Sequence, residues 1–312
     1  MNPTEIVVLS GKGGTGKTSL TAAFAALAAP VVTVDCDVDA PDLEWVLDPT
    51  PKFRHRFYSG WEAVIDETLC RSCGQCAMAC RFNAITRANG PRSPYRVDPL
   101  SCEGCGVCEV VCPHNAIFLN EADRGEWLQS DTRFGPLLHP RMHPGAENSG
   151  KLVSQLREKA EAIAREEGYQ LILCDGPPGI GCPVIATLSG ATHVVLVTEP
   201  GQAAHHDLER VADLAKRFRV SVSLFLNKAD LDPAEAAATR EFAQRRGLTI
   251  IGEAPYDPTV TAAQLQGRAV TELNSGPVAD AIRAAWLRLN ELLRRQNTTR
   301  LPIRIQFQQR PE

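Results

Sequence analysis

Gly11-Lys12-Gly13-Gly14-Thr15-Gly16-Lys17-Thr18 follows directly on the apolar run Ile6-Val7-Val8-Leu9 and leads into a helix-like segment, Ser19 to Ala29. The spacing G-x-x-x-x-G-K-[ST], set between strand and helix, is that of a phosphate-cradling loop. Its glycines let backbone N–H groups turn inward around phosphate oxygens. Lys17 supplies a point charge for the β- and γ-phosphates, and Thr18 offers its hydroxyl to Mg2+. The helix behind the loop points its N-terminus, and so its positive dipole end, at the anion. Residues Gly11 to Ser19 are therefore the candidate nucleotide loop.

Further strand ends carry chemistry of the same kind. Val31-Val32-Thr33-Val34 ends in Asp35-Cys36-Asp37-Val38-Asp39-Ala40-Pro41, and Leu171-Ile172-Leu173-Cys174 ends in Asp175-Gly176-Pro177-Pro178-Gly179. Val222 to Leu226 ends in Asn227-Lys228-Ala229-Asp230, an N-K-x-D motif. Such an aspartate can accept two N–H bonds from guanine but faces the wrong lone pair on adenine. Helical segments at 151–167, 203–218 and 233–247 alternate with these strands, which predicts an α/β fold: a mostly parallel sheet with helices on both faces. Asp39 reads as a turn residue before Pro41, and Cys36 as a buried, inert thiol.

Between these pieces stand two cysteine runs of identical spacing, C-x2-C-x2-C-x3-C: Cys70, Cys73, Cys76, Cys80 and Cys102, Cys105, Cys108, Cys112. The chain has 11 cysteines, an odd count clustered in short steps, which favours metal over a disulfide framework. Zinc sites pair two C-x2-C knuckles across a longer loop, whereas here three cysteines fall at two-residue intervals and a fourth follows. Pro113 after Cys112 completes the usual iron–sulfur pattern, while Arg81 takes the proline's place after Cys80.

The loop resembles the deviant phosphate loop of the MinD/ParA family, because Lys12 precedes the glycine pair Gly13-Gly14 as Gly-Lys-Gly-Gly-x-Gly-Lys-Thr. The resemblance implies ATP and Mg2+ as ligands and a nucleotide-sandwich homodimer in which Lys12 reaches the partner's phosphates. It makes Lys12, Lys17 and Asp37 the catalytic residues, with Asp37 orienting the attacking water. Thr18, Asp37 and Asp175 then surround Mg2+, Asp35 sits close to the metal and loop backbone, and the Gly179 N–H approaches the γ-phosphate. Asn227, Asp230 and the loop Pro255-Tyr256-Asp257 read the base, and ATP is favoured over GTP, with Asp230 the residue that speaks against it.

The cysteine runs resemble bacterial two-cluster ferredoxins, in which the fourth cysteine of each run crosses to the other cluster. That resemblance implies one [4Fe-4S] cluster on Cys70, Cys73, Cys76 and Cys112, and a second on Cys102, Cys105, Cys108 and Cys80. Taken together, the chain resembles MinD-superfamily P-loop ATPases with an inserted ferredoxin. Residues 1–58 and 121–298 are expected to form the ATPase domain, 59–120 the ferredoxin insert, and 299–312 a tail.

The expected function is a dimeric ATPase coupling ATP binding and hydrolysis to electron transfer through the two clusters, with a redox or metallocofactor protein as partner. The alternative is an assembly or carrier ATPase for iron–sulfur or heterometal cofactors. Eight ligands for two closed clusters favour electrons as the cargo. A positioning switch like MinD itself leaves the clusters without a role. Cys182, seven residues after Asp175, reads as a buried helix-start cysteine, with a cluster ligand shared across a dimer as the alternative. His139 and His143 read as surface residues, with metal ligation as the alternative, and His205 and His206 as surface or interface residues. The periodic segment Val278, Ile282, Trp286, Leu289, Leu293 is expected to pack on the core. Beyond it, Leu301 to Phe307 reads as an edge strand or a disordered end. A net charge of -4 gives no reason to expect nucleic acid or an anionic membrane as partner, and a cytoplasmic location with no stable membrane insertion is expected.

Overall fold

A computed structural model describes residues 2–87, 90, 93–146, 149–273 and 276–299. The expected strand or disordered end at 301–307 lies outside these residues.

The phosphate loop joins β1 (Thr4–Ser10) to α1 (Lys17–Ala28), and the chain returns through β2 (Val32–Asp35) and the short α2 (Leu43–Leu47). It then runs out along β3 (Thr50–Ile65), through α3 (Gln75–Ala79), β4 (Ile85–Arg87), β5 (Tyr95–Val97) and α4 (Val107–Val110), and back along β6 (Ile117–Thr132). A tight turn leads to β7 (Gly135–Met142), followed by α5 (Ser149–Glu167), β8 (Leu171–Pro178) and α6 (Cys182–Leu188). The remainder alternates: β9 (His193–Thr198), α7 (Gln202–Arg217), β10 (Ser221–Leu226), α8 (Pro233–Arg246), β11 (Thr249–Glu253), α9 (Thr259–Gln264) and α10 (Pro277–Thr299).

Nine strands form one sheet in the order β11-β10-β9-β1-β8-β2-β7-β6-β3. From β11 to β7 all neighbours run parallel, while β6 is antiparallel to both β7 and β3. Alternation along β1 assigns the two faces. Val7 and Leu9 join a core with Leu152 and Leu156 of α5 and Val211 of α7. Ile6 and Val8 join another with Phe24 of α1 and Ile282, Leu289 and Leu293 of α10. The sheet is thus an α/β layer with helices on both faces, and α10 packs on the core as its 3.6-residue periodicity predicts. The rings of Phe24 and Trp286 meet at 5.0 Å.

The segment from Gly125 to His143 forms the C-terminal half of β6 and all of β7. β6 extends over 16 residues and pairs with the equally long β3 from Thr50↔Asp131 to Ile65↔Ile117. Both strands therefore run from the nine-stranded sheet into the cysteine module without a break. The pairing shifts register between Phe57 and Trp61, so bulges there twist the hairpin where it leaves the sheet. At the other end of β6, Arg133 donates to the carbonyls of Val46 (3.0 Å) and Leu47 (2.7 Å) and to Glu272, tying the β6–β7 turn to α2.

Candidate functional site

The ends of β1, β2 and β8 bring the candidate groups together, because adjacent parallel strands present their C-terminal ends to one crevice. The cavity there is lined by Gly13, Lys17, Thr18, Asp37, Asp42 and Pro177. A second cavity shares Gly14, Gly16, Ser19 and Gln264 with the first and continues past Asn227, Lys228, Pro255, Tyr256 and Asp257. One cleft therefore leads from the phosphate loop to the loops expected to hold the base.

At the phosphate end, Thr18 Oγ1 donates to Asp175 Oδ2 at 2.6 Å, and Thr21 Oγ1 donates to the other oxygen at 2.9 Å. Lys17 Nζ stands 3.5 Å from Asp37 Oδ2. Asp35, Asp37 and Asp175 are all buried here. Burial is the main cause that raises the pKa of each; repulsion from Asp175 adds to it at Asp35 and Asp37, and repulsion from Asp42 adds to it at Asp175. Lys17 opposes the rise at both Asp37 and Asp175. Two buried carboxylates, Asp37 and Asp175, share one lysine and leave room for an added cation, which the Thr18 hydroxyl and Asp175 could receive. Asp35 meets the loop-backbone part of its expectation: its two oxygens accept the backbone N–H groups of Asp37 and Leu43, both at 3.0 Å, so it shapes the loop after β2.

Two glycine expectations separate. Gly16 has φ 95, and a Cβ there would collide with the Asn227 side-chain nitrogen, so only glycine fits. The Gly179 N–H, expected at the γ-phosphate, instead donates to the Ser10 carbonyl at 3.0 Å.

At the base end, Asn227 Nδ2 donates to the Thr15 carbonyl at 2.8 Å. Asp230 Oδ1 accepts the Tyr256 N–H at 2.6 Å, so this carboxylate joins the two base-side loops and does not line the cleft. Lys12 lies 2.7 Å from Glu199, which also receives Lys228 at 2.8 Å. Burial alone would raise the Glu199 pKa, but the bonds from Lys12 and Lys228 outweigh it and hold the carboxyl below its usual range.

A model of the CobQ/CobB/MinD/ParA nucleotide-binding domain matches residues 6–270, which span this cleft and the sheet that builds it. The chain belongs to this family. Among curated relatives of this MinD/ParA-type chain, an uncharacterised protein of Methanocaldococcus jannaschii is 32% identical over 232 residues, covering 73% of this chain and 79% of the relative. A putative septum site-determining protein MinD of Chlorella vulgaris is 29% identical over 107 residues, 33% of this chain and 38% of that one. Among solved structures, the cell division ATPase MinD of Pyrococcus furiosus superposes with a TM-score of 0.56 at 18% identity, covering 94% of this chain and 100% of that chain. MinD of Pyrococcus horikoshii, complexed with Mg-ADP, gives 0.56 at 17% identity, covering 93% and 97%. At such identities these structures speak for the MinD/ParA fold alone.

Along the outer part of the β3–β6 hairpin, the MinD/ParA chain carries two further cavities. One is lined by Cys70, Cys73, Cys76 and Cys112, with Ile65 and Ile117. The other is lined by Cys102, Cys105, Cys108 and Cys80, with Ala63 and Ile85. The fourth cysteine of each run thus faces the cavity of the other run. Backbone turns repeat as well: Ser72 and Gly104 have φ 54 and 62, and Asn83 and Asn115 have φ 54 and 48. Cys76 and Cys108 are buried, and burial raises both thiol pKa values. None of the cysteines is joined in a disulfide. Among the described residues, no group of three or more His, Cys, Asp or Glu side chains gathers closely enough to hold a single metal ion.

The remaining candidates fall away from both sites. His139, expected at the surface, is fully buried on β7, where Nε2 meets Ser130 Oγ at 2.9 Å. Its Nδ1 lies 3.2 Å from Glu44, at an angle that makes no hydrogen bond. Burial lowers its pKa to about 4. His143 is exposed and lies 3.6 Å from Asp123. Cys182 begins α6 as expected but is exposed, whereas Cys36 is buried. Glu199 and Gln264 were not singled out by sequence, and both lack a motif of their own. No helix among the described residues is long and apolar enough to cross a membrane.

Proposed function

We propose that the chain is an ATP-hydrolysing homodimer in which residues 59–120 form an inserted two-cluster ferredoxin, and that ATP binding and hydrolysis are coupled to electron transfer. The observation that carries this reading is the crossed arrangement of eight cysteines around two cavities on a hairpin continuous with the nucleotide sheet. The donor set suits [4Fe-4S] clusters, since each thiolate of a cubane binds a different iron and the four sulfurs stand wider apart than around one ion. Backbone N–H groups of Ala63 and Ala116 reach Cys102 Sγ (3.5 Å) and Cys112 Sγ (3.4 Å), the kind of donor that stabilises a bound thiolate. When bound, the clusters supply one-electron storage.

In the cleft, Lys17 and the loop N–H groups hold the phosphates, and Thr18 with Asp175 holds Mg2+. Asp37 orients the attacking water, and Lys12 neutralises phosphoryl charge across the dimer. Asn227 and the loop 255–257 enclose the base. The Pyrococcus horikoshii MinD complexed with Mg-ADP supports Mg2+ and adenine nucleotide as ligands. A redox or metallocofactor protein is the partner, and the site of action is the cytoplasm. ATP drives electron transfer only if it binds the closed dimer more tightly than the open one.

Anaerobic reconstitution followed by redox titration with and without ATP tests the reading. About eight irons per chain and a nucleotide-dependent change in potential or in electron delivery are expected. Cluster potentials and delivery that ignore ATP would sink the coupling. The alternative, a cofactor carrier, draws on the exposed Cys182 beside the cleft. It requires that Cys182→Ala lower the transfer of iron to an acceptor.

A further inference from the structure

The two cysteine runs repeat at an offset of thirty-two residues, from Cys70 and Cys102 through Asn83 and Asn115. The offset holds for the cavity walls too: apart from Ile65 on one side and Gly104 on the other, each wall position of one cavity has a counterpart in the other. At some positions the counterparts are alike, as with Gly74 and Gly106, Ala84 and Ala116, and Ile85 and Ile117. Four pairs differ in chemistry, and all four differ in the same direction.

Arg71 lines the Cys70 cavity where Glu103 lines the Cys102 cavity. Gln75 stands opposite Val107, His114 opposite Phe82, and Tyr95 opposite Ala63. On the Cys70 side each member is a cation or carries an N–H or O–H donor. On the Cys102 side each is acidic or apolar. Cations stacked on the walls do not offset this, because there is one on each side: Arg87 lies 4.7 Å from the Tyr95 ring, and Arg81 lies 5.7 Å from the Phe82 ring.

We infer that the two cluster sites are built with unequal potentials, and that the cluster on Cys70, Cys73, Cys76 and Cys112 is the one reduced first. The inference rests on the two-cluster reading above. Reduction adds one negative charge to a cluster. Cations and hydrogen-bond donors around the sulfurs stabilise that charge and raise the potential, while a carboxylate or an apolar wall lowers it. An electron supplied by a low-potential one-electron donor therefore settles on the Cys70 cluster. In the internal step, the reduced Cys102 cluster loses one electron and the oxidised Cys70 cluster gains it.

The placement gives this gradient a direction in the molecule. Ala63, on the wall of the Cys102 cavity, lies two residues nearer the nucleotide sheet than Ile65, on the wall of the Cys70 cavity. The gradient thus runs outward along the hairpin, away from the ATP cleft.

The test is an anaerobic redox titration of the full, reconstituted chain, followed by electron paramagnetic resonance. Two one-electron steps are expected. R71E combined with H114F should lower the higher step and leave the lower one in place, whereas E103R combined with F82H should raise the lower step. Y95F keeps the ring, removes only the hydroxyl, and should shift the higher step downward even if the charge variants assemble poorly. Coincident steps in the unmodified chain, or a lower step that responds to R71E with H114F or to Y95F, would overturn the inference while leaving the two-cluster reading intact. A chain that takes up no cluster overturns the two-cluster reading and the inference with it.

Discussion

Lys12 Nζ stands 2.7 Å from Glu199 Oε1, and the same carboxylate receives Lys228 Nζ at 2.8 Å. Lys228 also donates to the Gly14 carbonyl at 2.9 Å. The lysine proposed to cross a dimer is therefore held within its own subunit by the residue that follows β9. To reach a partner's phosphates it must leave this carboxylate, so the ion pair opposes dimer closure. Glu199→Gln removes the charge and should tighten the ATP-dependent dimer by up to about fivefold, the limit for a partly exposed pair worth ~1 kcal/mol. Sedimentation velocity with ATP reads the shift; an unchanged or weaker dimer would refute it.

Asp37 is the one carboxylate of the buried set that pairs with Lys17 and lines the phosphate cavity. Asp37→Asn keeps the shape and should lower ATP hydrolysis by about 10²- to 10⁴-fold with ATP affinity nearly unchanged. Because burial raises the Asp37 pKa, activity in the unmodified chain should fall on acidification at a higher pH than an ordinary carboxylate would give. Hydrolysis by D37N that matches the unmodified chain would remove Asp37 from the mechanism.

Asp230 bears on the choice of purine. Its bond to the Tyr256 N–H engages one oxygen in holding the 255–257 loop. A guanine-reading aspartate needs both oxygens turned to the base. GTP should therefore compete poorly for the cleft, and Asp230→Ala should weaken ATP binding by loosening that loop. Equal displacement of a fluorescent ATP analogue by ATP and GTP would contradict this.

The P-loop, the carboxylates after β2 and β8, and the cysteine runs were legible because their spacing is local: neighbours in sequence are neighbours in space. Glu199 was not legible, since it meets Lys12 only after β9 has paired with β1. Asp35 shows a subtler limit. Its motif position was clear, but whether its oxygens face metal or backbone depends on Leu43, eight residues on. The inner half of β3 hid for another reason. Residues 50–56 are exposed on both faces, so no alternation marks them as strand. His139 sits in a segment rich in proline, and its burial comes from the packing of β7 between β2 and β6.

His139 and His193 give the fold an acid sensitivity. Both are buried, and burial lowers each pKa to about 4, against 6.5 for the free side chain. Above pH 6.5 neither state is protonated and they contribute nothing. Between 6.5 and 4 the unfolded chain binds protons that the folded chain does not, so stability falls as pH drops, approaching ~1.4 kcal/mol per pH unit for each histidine. Below 4 this loss stops growing. The raised carboxylates Asp35, Asp37 and Asp175 act in the opposite sense, so the comparison must be between variants. His139→Gln should lose less stability than the unmodified chain between pH 7 and pH 5 in urea denaturation. Parallel losses would refute the assignment.

The uninterrupted course of β3 and β6 also orders events during synthesis. Every cysteine of the two runs lies between these strands, and the hairpin that holds them is finished once Thr132 has been made. β1, by contrast, lies between β8 and β9, neither of which exists until Leu171 and later residues emerge. At about 5–20 residues per second, the ribosome leaves an interval of seconds between the two. On the two-cluster reading proposed above, the cysteine module is therefore complete and open to iron and sulfide while the nucleotide site is still unbuilt, so its loading precedes any encounter with ATP.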